Sequence, residues 1–224
     1  MIKGVIFDAD GTLLDSMGFW DGVVVNLIKS MGVVPDDNLT EILTPMSMLE
    51  GAEYIKREYR LDIGVEEIID KENKIVEEFY STSVKMREGT LELLQYLKSN
   101  NVPAVVASAT DRALIEKALK HLQIFEYFEK VFSCSDVGEG KSSPKIYLTA
   151  CDFLGTKPQE TLVAEDSLQA VTTAGNAGFK TLALFDRTQS RYWDRLKELS
   201  DLSLEGAFDV EKILKYFNIG RCSE

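Results

Sequence analysis

Five runs of four or five residues, 3–7, 103–107, 130–133, 161–164 and 180–184, are apolar over most of their length and too short for helices. Strict alternation of apolar and polar residues would mark a sheet with one wet face. Near-continuous runs of Val, Ile and Leu instead mark strands buried on both faces. Helical patterns follow the later runs. Asp111 precedes RALIEKALKHL, with apolar residues at 114, 115, 118, 119 and 122; Ser143 precedes Pro144, a first helical residue, and then IYLTACDFL; Asp166 and Ser167 precede LQAVTTAGNAG. Strand, helix, strand, helix with short links predicts an α/β fold, a parallel sheet covered on both faces.

The first link breaks this rhythm. The span from Asp8 to Pro103 is far too long for one crossover helix. Helical patterns cover 19–31, 48–59 and 65–84, the second with Ser47 and Glu50 spaced as a capping box. A fourth, 89–98, leads back into the sheet. Residues 15–85 are therefore expected to form an all-helical insert, a cap over the end of the first strand, with 1–14 and 86–224 as the core. The insert holds 15 acidic and 7 basic residues, so eight of the chain's twelve net negative charges sit there. Past Asp186, helices are expected over 189–199 and 210–217.

A net charge of −12 argues against holding nucleic acid or an anionic membrane by bulk charge. No uncharged stretch approaches the length that spans a bilayer. The opening MIKGVIFDAD meets two carboxylates too early for a signal peptide. Three scattered cysteines (Cys134, Cys151, Cys222) and one histidine (His121) form no zinc-ligand pattern and leave little room for a Ser–His or Cys–His mechanism. This cysteine usage suits a reducing cytoplasm. Cys134 and Cys151 read as core thiols, His121 as a helix-surface residue without a role.

The chemistry-bearing residues gather at the strand ends. The first strand runs into Phe7-Asp8-Ala9-Asp10-Gly11-Thr12, the second into Ser108-Ala109-Thr110, and the fourth into Glu165-Asp166-Ser167; the loop Gly138-Glu139-Gly140-Lys141-Ser142-Ser143-Pro144 supplies a lysine. In an open parallel sheet the carboxyl ends of the strands are where ligands bind. Each motif also has a bland reading: a D-G turn, a loop hydroxyl, a solvated lysine, or Asp166 as a helix N-cap. Their joint occurrence favours a site.

With FDADGT, the Ser108 segment, GKSSPK and AEDS in order, the chain resembles the haloacid dehalogenase-like hydrolases, in the phosphatase and β-phosphoglucomutase-like branch with a small helical cap. The resemblance implies a doubly wound, Rossmann-like sheet in the order 3-2-1-4-5, with the site between the first and fourth strands. It implies Asp8 as the nucleophile on phosphorus, Asp10 as general acid and base, and Thr12 steadying Asp10. Ser108 and the Ala9, Asp10 and Ala109 amides would hold phosphoryl oxygens, and Lys141 would neutralise the transferring group, leaving Lys145 exposed. Mg²⁺ would be held by Asp8, the Asp10 carbonyl and Asp166, with Glu165 nearby.

Asp10, Glu165 and Asp166 together argue against carbon–halogen hydrolysis, which needs neither a second carboxylate nor a metal. A mutase of this branch would carry a cap histidine near Trp20 and an arginine near Thr44-Pro45-Met46-Ser47-Met48; both are missing. The expected function is a Mg²⁺-dependent phosphatase of small phosphorylated metabolites, acting as a monomer or weak homo-oligomer. A phosphomutase and a non-catalytic phosphate- or partner-binding protein are the alternatives. Met17, Phe19, Trp20, Met46 and Met48 form an apolar group near the first motif, with Trp20 and Met48 as the substrate contacts, and Gly11 and Gly18 bracket a hinge.

Overall fold

The computed structural model describes residues 1–43 and 45–219; Thr44 and Cys222, both read above, lie outside them. The chain begins β1 (Gly4–Phe7), β2 (Leu14–Asp15), then four helices, α1 (Met17–Ser30), α2 (Leu39–Leu43), α3 (Met48–Glu58) and α4 (Val65–Thr82). It continues through β3 (Lys85–Met86), α5 (Thr90–Ser99), β4 (Ala104–Ser108), α6 (Arg112–His121), β5 (Lys130–Ser133), α7 (Cys134–Val137) and α8 (Lys145–Leu154). It closes with β6 (Thr161–Glu165), α9 (Leu168–Asn176), β7 (Lys180–Leu184), α10 (Trp193–Leu199), β8 (Leu202–Leu204) and α11 (Val210–Phe217).

Six strands form one parallel sheet in the order β5-β4-β1-β6-β7-β8. This is the expected 3-2-1-4-5 with a sixth strand, β8, on the far edge. Successive residues of a strand face opposite sides. Val5, Phe7, Val106 and Ala164 accordingly join one core cluster, while Ile6, Val105, Ala107 and Val163 join the other. That double burial is why these runs are apolar throughout.

β2 and β3 pair antiparallel, Leu14 opposite Met86 and Asp15 opposite Lys85, so the expected boundaries 14/15 and 85/86 fall inside this ribbon. The four helices between them bury their own small core, including Leu27, Ile28, Ala52, Ile55 and Ile68. The capping box of α3 forms as read, with Ser47 Oγ accepting from the Glu50 amide and the Glu50 carboxylate from the Ser47 amide.

Several expectations shift. Pro144 is the N-cap of α8, and the helix begins one residue later, at Lys145. Gly18 lies in the first turn of α1, so the segment that Gly11 and Gly18 bracket runs through β2 into that helix. A 3₁₀ segment, Arg187–Tyr192, precedes α10 where one continuous helix is expected. The short helices α2 and α7 and the strand β8 escape a reading based on periodicity, because each is shorter than one or two repeats. His121 is exposed at the end of α6, and Cys134 and Cys151 are buried free thiols. Burial pushes the Cys134 thiol up to about 12. Among the described residues no helix is long and apolar enough to cross a membrane.

Candidate active site

β1 lies between β4 and β6, where the sheet reverses its direction of growth, and Phe7 is in register with Val106 and Ala164. The Asp8 amide donates to the Ala164 carbonyl at 2.9 Å. Asp8, Ser108, Glu165 and Asp166 are thus delivered to one edge by three adjacent strands, at the switch point of a doubly wound sheet. After Asp8 the chain must turn at once. Gly11 takes φ +81°, and a Cβ there would stand 2.3 Å from Asp166 Oδ2 and 2.8 Å from Met17 Cγ. Arg87, just past β3, braces this turn by donating to the carbonyls of Gly11, Thr12, Phe185 and Gly206.

Lys141 is 4% exposed and bridges Asp8 Oδ1 and Glu165 Oε1, the latter at 2.7 Å. Burial alone would lower its pKa, but the Asp8 and Glu165 carboxylates outweigh that and hold it above its usual value. Tyr147 donates a second hydrogen bond to Glu165 Oε1, also 2.7 Å. Lys145 is exposed and pairs with Glu139 at 2.9 Å, as expected for a surface lysine.

Asp8, Glu165 and Asp166 each offer an oxygen within 4.8 Å of the others, all buried. Burial first, then the neighbouring carboxylates, drives the Asp8 and Asp166 pKa values well above their ordinary value. Asp166 Oδ2 is sealed from solvent with no hydrogen-bond partner among the described residues. The helix-cap reading of Asp166 is excluded, because Ser167 is the N-cap of α9 and accepts from the Ala170 amide. An all-oxygen, over-acidic cluster with an orphaned carboxylate oxygen fits a hard divalent cation such as Mg²⁺.

Asp10 is held apart from this cluster. Its Oδ1 accepts from Ser16 at 2.6 Å and from Tyr80, and its Oδ2 accepts from Thr110 at 3.0 Å. The expectation that Thr12 steadies Asp10 is wrong: the Thr12 hydroxyl is buried without a partner among the described residues. Thr12 sits in the tight turn whose backbone folds back on itself through the Thr12 and Leu14 amides to the Ala9 carbonyl. The sequence reading missed Ser16, Tyr80, Thr110 and Tyr147. Tyr80 comes from the last turns of α4, 70 residues from Asp10, with no local signal to pair them. Among the described residues the Ala9, Asp10 and Ala109 amides donate to no protein acceptor, and Ser108 Oγ accepts only from the Thr110 amide at 3.0 Å.

The helices between β2 and β3 close over this edge. The Lys141 amide donates to the Pro45 carbonyl at 3.0 Å, and Gly140 leaves no room for a Cβ, which would stand 2.5 Å from Glu50 Oε2. A cavity of about 120 Å³ remains, floored by the residues above and walled by Met17, Trp20, Val24, Met46, Met48 and Ile55. Phe19, expected in this group, does not line it and stacks on Phe79 at 3.8 Å between ring centres. Lys56, Arg57 and Arg112 do not reach it either. Lys56 donates to the Leu61 and Ile63 carbonyls, Arg57 lies over Tyr54, and Arg112 faces Asp136.

A doubly wound sheet with an acidic switch point, a buried lysine beside it and helices packed over that edge defines an α/β enzyme fold. The chain belongs to the haloacid dehalogenase-like hydrolases, whose family model matches residues 2–178. The phosphorylated carbohydrates phosphatase of Thermotoga maritima is 24% identical over 181 residues, 81% of this chain and 84% of that protein. Pyrophosphatase PpaX of Bacillus cereus is 26% identical over 220 residues, 97% of this chain and 98% of that protein. The crystal structure of β-phosphoglucomutase from Clostridium difficile superposes with a TM-score of 0.81 at 21% identity, covering 97% of this chain and 98% of that one, a likeness of fold.

Proposed function

We propose that this chain is a Mg²⁺-dependent phosphatase that hydrolyses small phosphomonoesters through an aspartyl-phosphate on Asp8. The observation that carries this reading is the separation of the two first-motif carboxylates. Asp8 faces Lys141 and the acidic cluster, whereas Asp10 is held one step further out by three hydroxyls. The names of the relatives, a carbohydrate-phosphate phosphatase and a pyrophosphatase among them, support it.

Asp8 attacks phosphorus in line with the departing oxygen, so an O–P bond forms as the ester P–O bond breaks. Asp10 exchanges one of its hydroxyl partners for the leaving oxygen and protonates it. The free Ala9, Asp10 and Ala109 amides and Ser108 cradle the phosphoryl oxygens, while Lys141 offsets their charge. Asp10 then takes a proton from water, which attacks phosphorus, releases inorganic phosphate and restores Asp8. Asp8, the Asp10 carbonyl and Asp166 would hold Mg²⁺, with Glu165 nearby, and the bound ion would supply charge neutralisation at the phosphoryl oxygens. The helices α1–α4 act as the cap that excludes bulk water and contacts the leaving group, with Trp20 and Met48 among the contacts.

A mutase would need a cation for the distal phosphate, and the described residues that line the cavity include none besides Lys141, already engaged by two carboxylates. The test combines Asp8→Asn with beryllium fluoride trapping. The variant should lose several powers of ten in turnover, and trapping should label Asp8. Labelling of Asp10 or Ser108, or interconversion of β-glucose 1-phosphate and 6-phosphate faster than phosphate release, would overturn the reading.

A further inference from the structure

α4 buries Ile68, Glu72, Val76 and Tyr80, four residues at a spacing of four and hence one stripe along the helix. Its lower end is Tyr80, which touches Asp10. Two turns up, about 12 Å along the axis, stands Glu72. Glu72 is 5% exposed and lines the same cavity as Asp8 and Lys141. It has no hydrogen bond or ion pair among the described residues. Neither of its carboxyl oxygens is among the sealed polar atoms that lack a partner.

A carboxyl in an apolar stripe with nothing to bond is a liability to the fold. A buried polar group left unpaired destabilises, and a charged one more so. Among the described residues that α1, α2 and α3 contribute to the cavity none is cationic; Trp20 and Thr40 are the polar ones, and Met17, Val24, Leu43 and Ile55 are apolar. What would complete the site is a cationic group brought by the ligand. An ammonium matches the carboxylate charge for charge, and the indole and thioether surfaces of Trp20, Met46 and Met48 suit the body that carries it. A neutral hydroxyl would pair only the protonated carboxyl and leave the carboxylate uncompensated, and a second phosphate or a carboxylate would meet like charge.

We propose that Glu72 is the specificity-determining residue of this cavity, selecting phosphate monoesters of amino alcohols, with the phosphate at Asp8 and the ammonium at Glu72. This inference deepens the phosphatase reading, because it names the class of leaving group for the same site.

The test compares ω-aminoalkyl, alkyl and ω-carboxyalkyl phosphates over a ladder of chain lengths. At the matching length the amine should exceed the alkyl ester in kcat/KM by roughly ten- to a hundredfold, the worth of one charge-assisted hydrogen bond, with the carboxylate last. Glu72→Gln and Glu72→Met should bring the amine-to-alkyl ratio close to one. Glu67→Gln, which removes a cap charge from the exposed Lys71 pair, should retain the full ratio. Calorimetric binding of ω-aminoalkyl phosphonates should follow the same pattern without turnover. A flat ratio in the wild type, or a preference that survives both Glu72 variants, overturns the proposal. If no phosphomonoester is hydrolysed, an aryl phosphate included, the phosphatase reading fails instead, and phosphonate binding still decides the role of Glu72.

Discussion

Replacing Glu72 by Gln should stabilise the protein, and only above a definite pH. Burial raises this carboxyl from an ordinary 4.5 to about 7. Between those two values the folded chain keeps a proton that the unfolded chain has released. The folded state therefore binds more protons, and stability falls as pH rises through this window, levelling off above about 7. At about 1.4 kcal/mol per pH unit the full effect is about 3 kcal/mol. Glutamine has nearly the same shape and no proton to lose, so the variant escapes this loss. Urea denaturation of both proteins across a pH series should give equal stabilities at or below the acid end of the window and a gap of about 3 kcal/mol at pH ~8. In thermal melts the same gap is roughly 6–12 °C for a chain of this size. Because Asp8 and Asp166 titrate in both proteins, their contribution cancels in the difference. A gap independent of pH, or a Gln variant less stable at pH ~8, would refute the reasoning.

Gly11→Ala puts a side chain at φ +81° and 2.3 Å from Asp166 Oδ2; it should lower stability by about 2 kcal/mol or more and abolish the Mg²⁺-induced rise in Tm, read by melts with and without the ion. Tyr80→Phe leaves Asp10 with Ser16 and Thr110 only; kcat should fall roughly tenfold with KM nearly constant, read by steady-state kinetics. If the folded cluster of Asp8, Glu165 and Asp166 holds Mg²⁺ as proposed and the unfolded chain does not, the ion should raise the Tm of the wild type; Asp166→Ala should lose that shift. Chelation should stop turnover and Ca²⁺ should restore it poorly, its looser coordination being unsuited to the site.

The sequence by itself determined the layers and the edge at which the candidate site residues gather. Strands buried on both faces must be apolar throughout, so β1, β4, β5, β6 and β7 stand out from any helix or surface segment. Asp8, Ser108, Glu165 and Asp166 each sit immediately beside an apolar run, so knowing the strands already assigned them to one edge. Lys141 followed from its motif, while its bridge between Asp8 and Glu165 did not, because the bridging partners lie 133 and 24 residues away. Only the tertiary structure decided how Asp10 is held. The neighbour in sequence, Thr12, is turned into the core, and the work falls to Ser16, Tyr80 and Thr110, which reach Asp10 by three separate paths of the chain. The strand β8 is three residues long, too short for a period to show, and pairing with β7 alone makes it a strand. Glu72 lies between these cases. The sequence does display a carboxylate at a spacing of four among Ile68, Val76 and Tyr80, but a charge in an apolar stripe has no meaning until the fold shows whether a partner faces it, and here the facing surface is the cavity over Asp8.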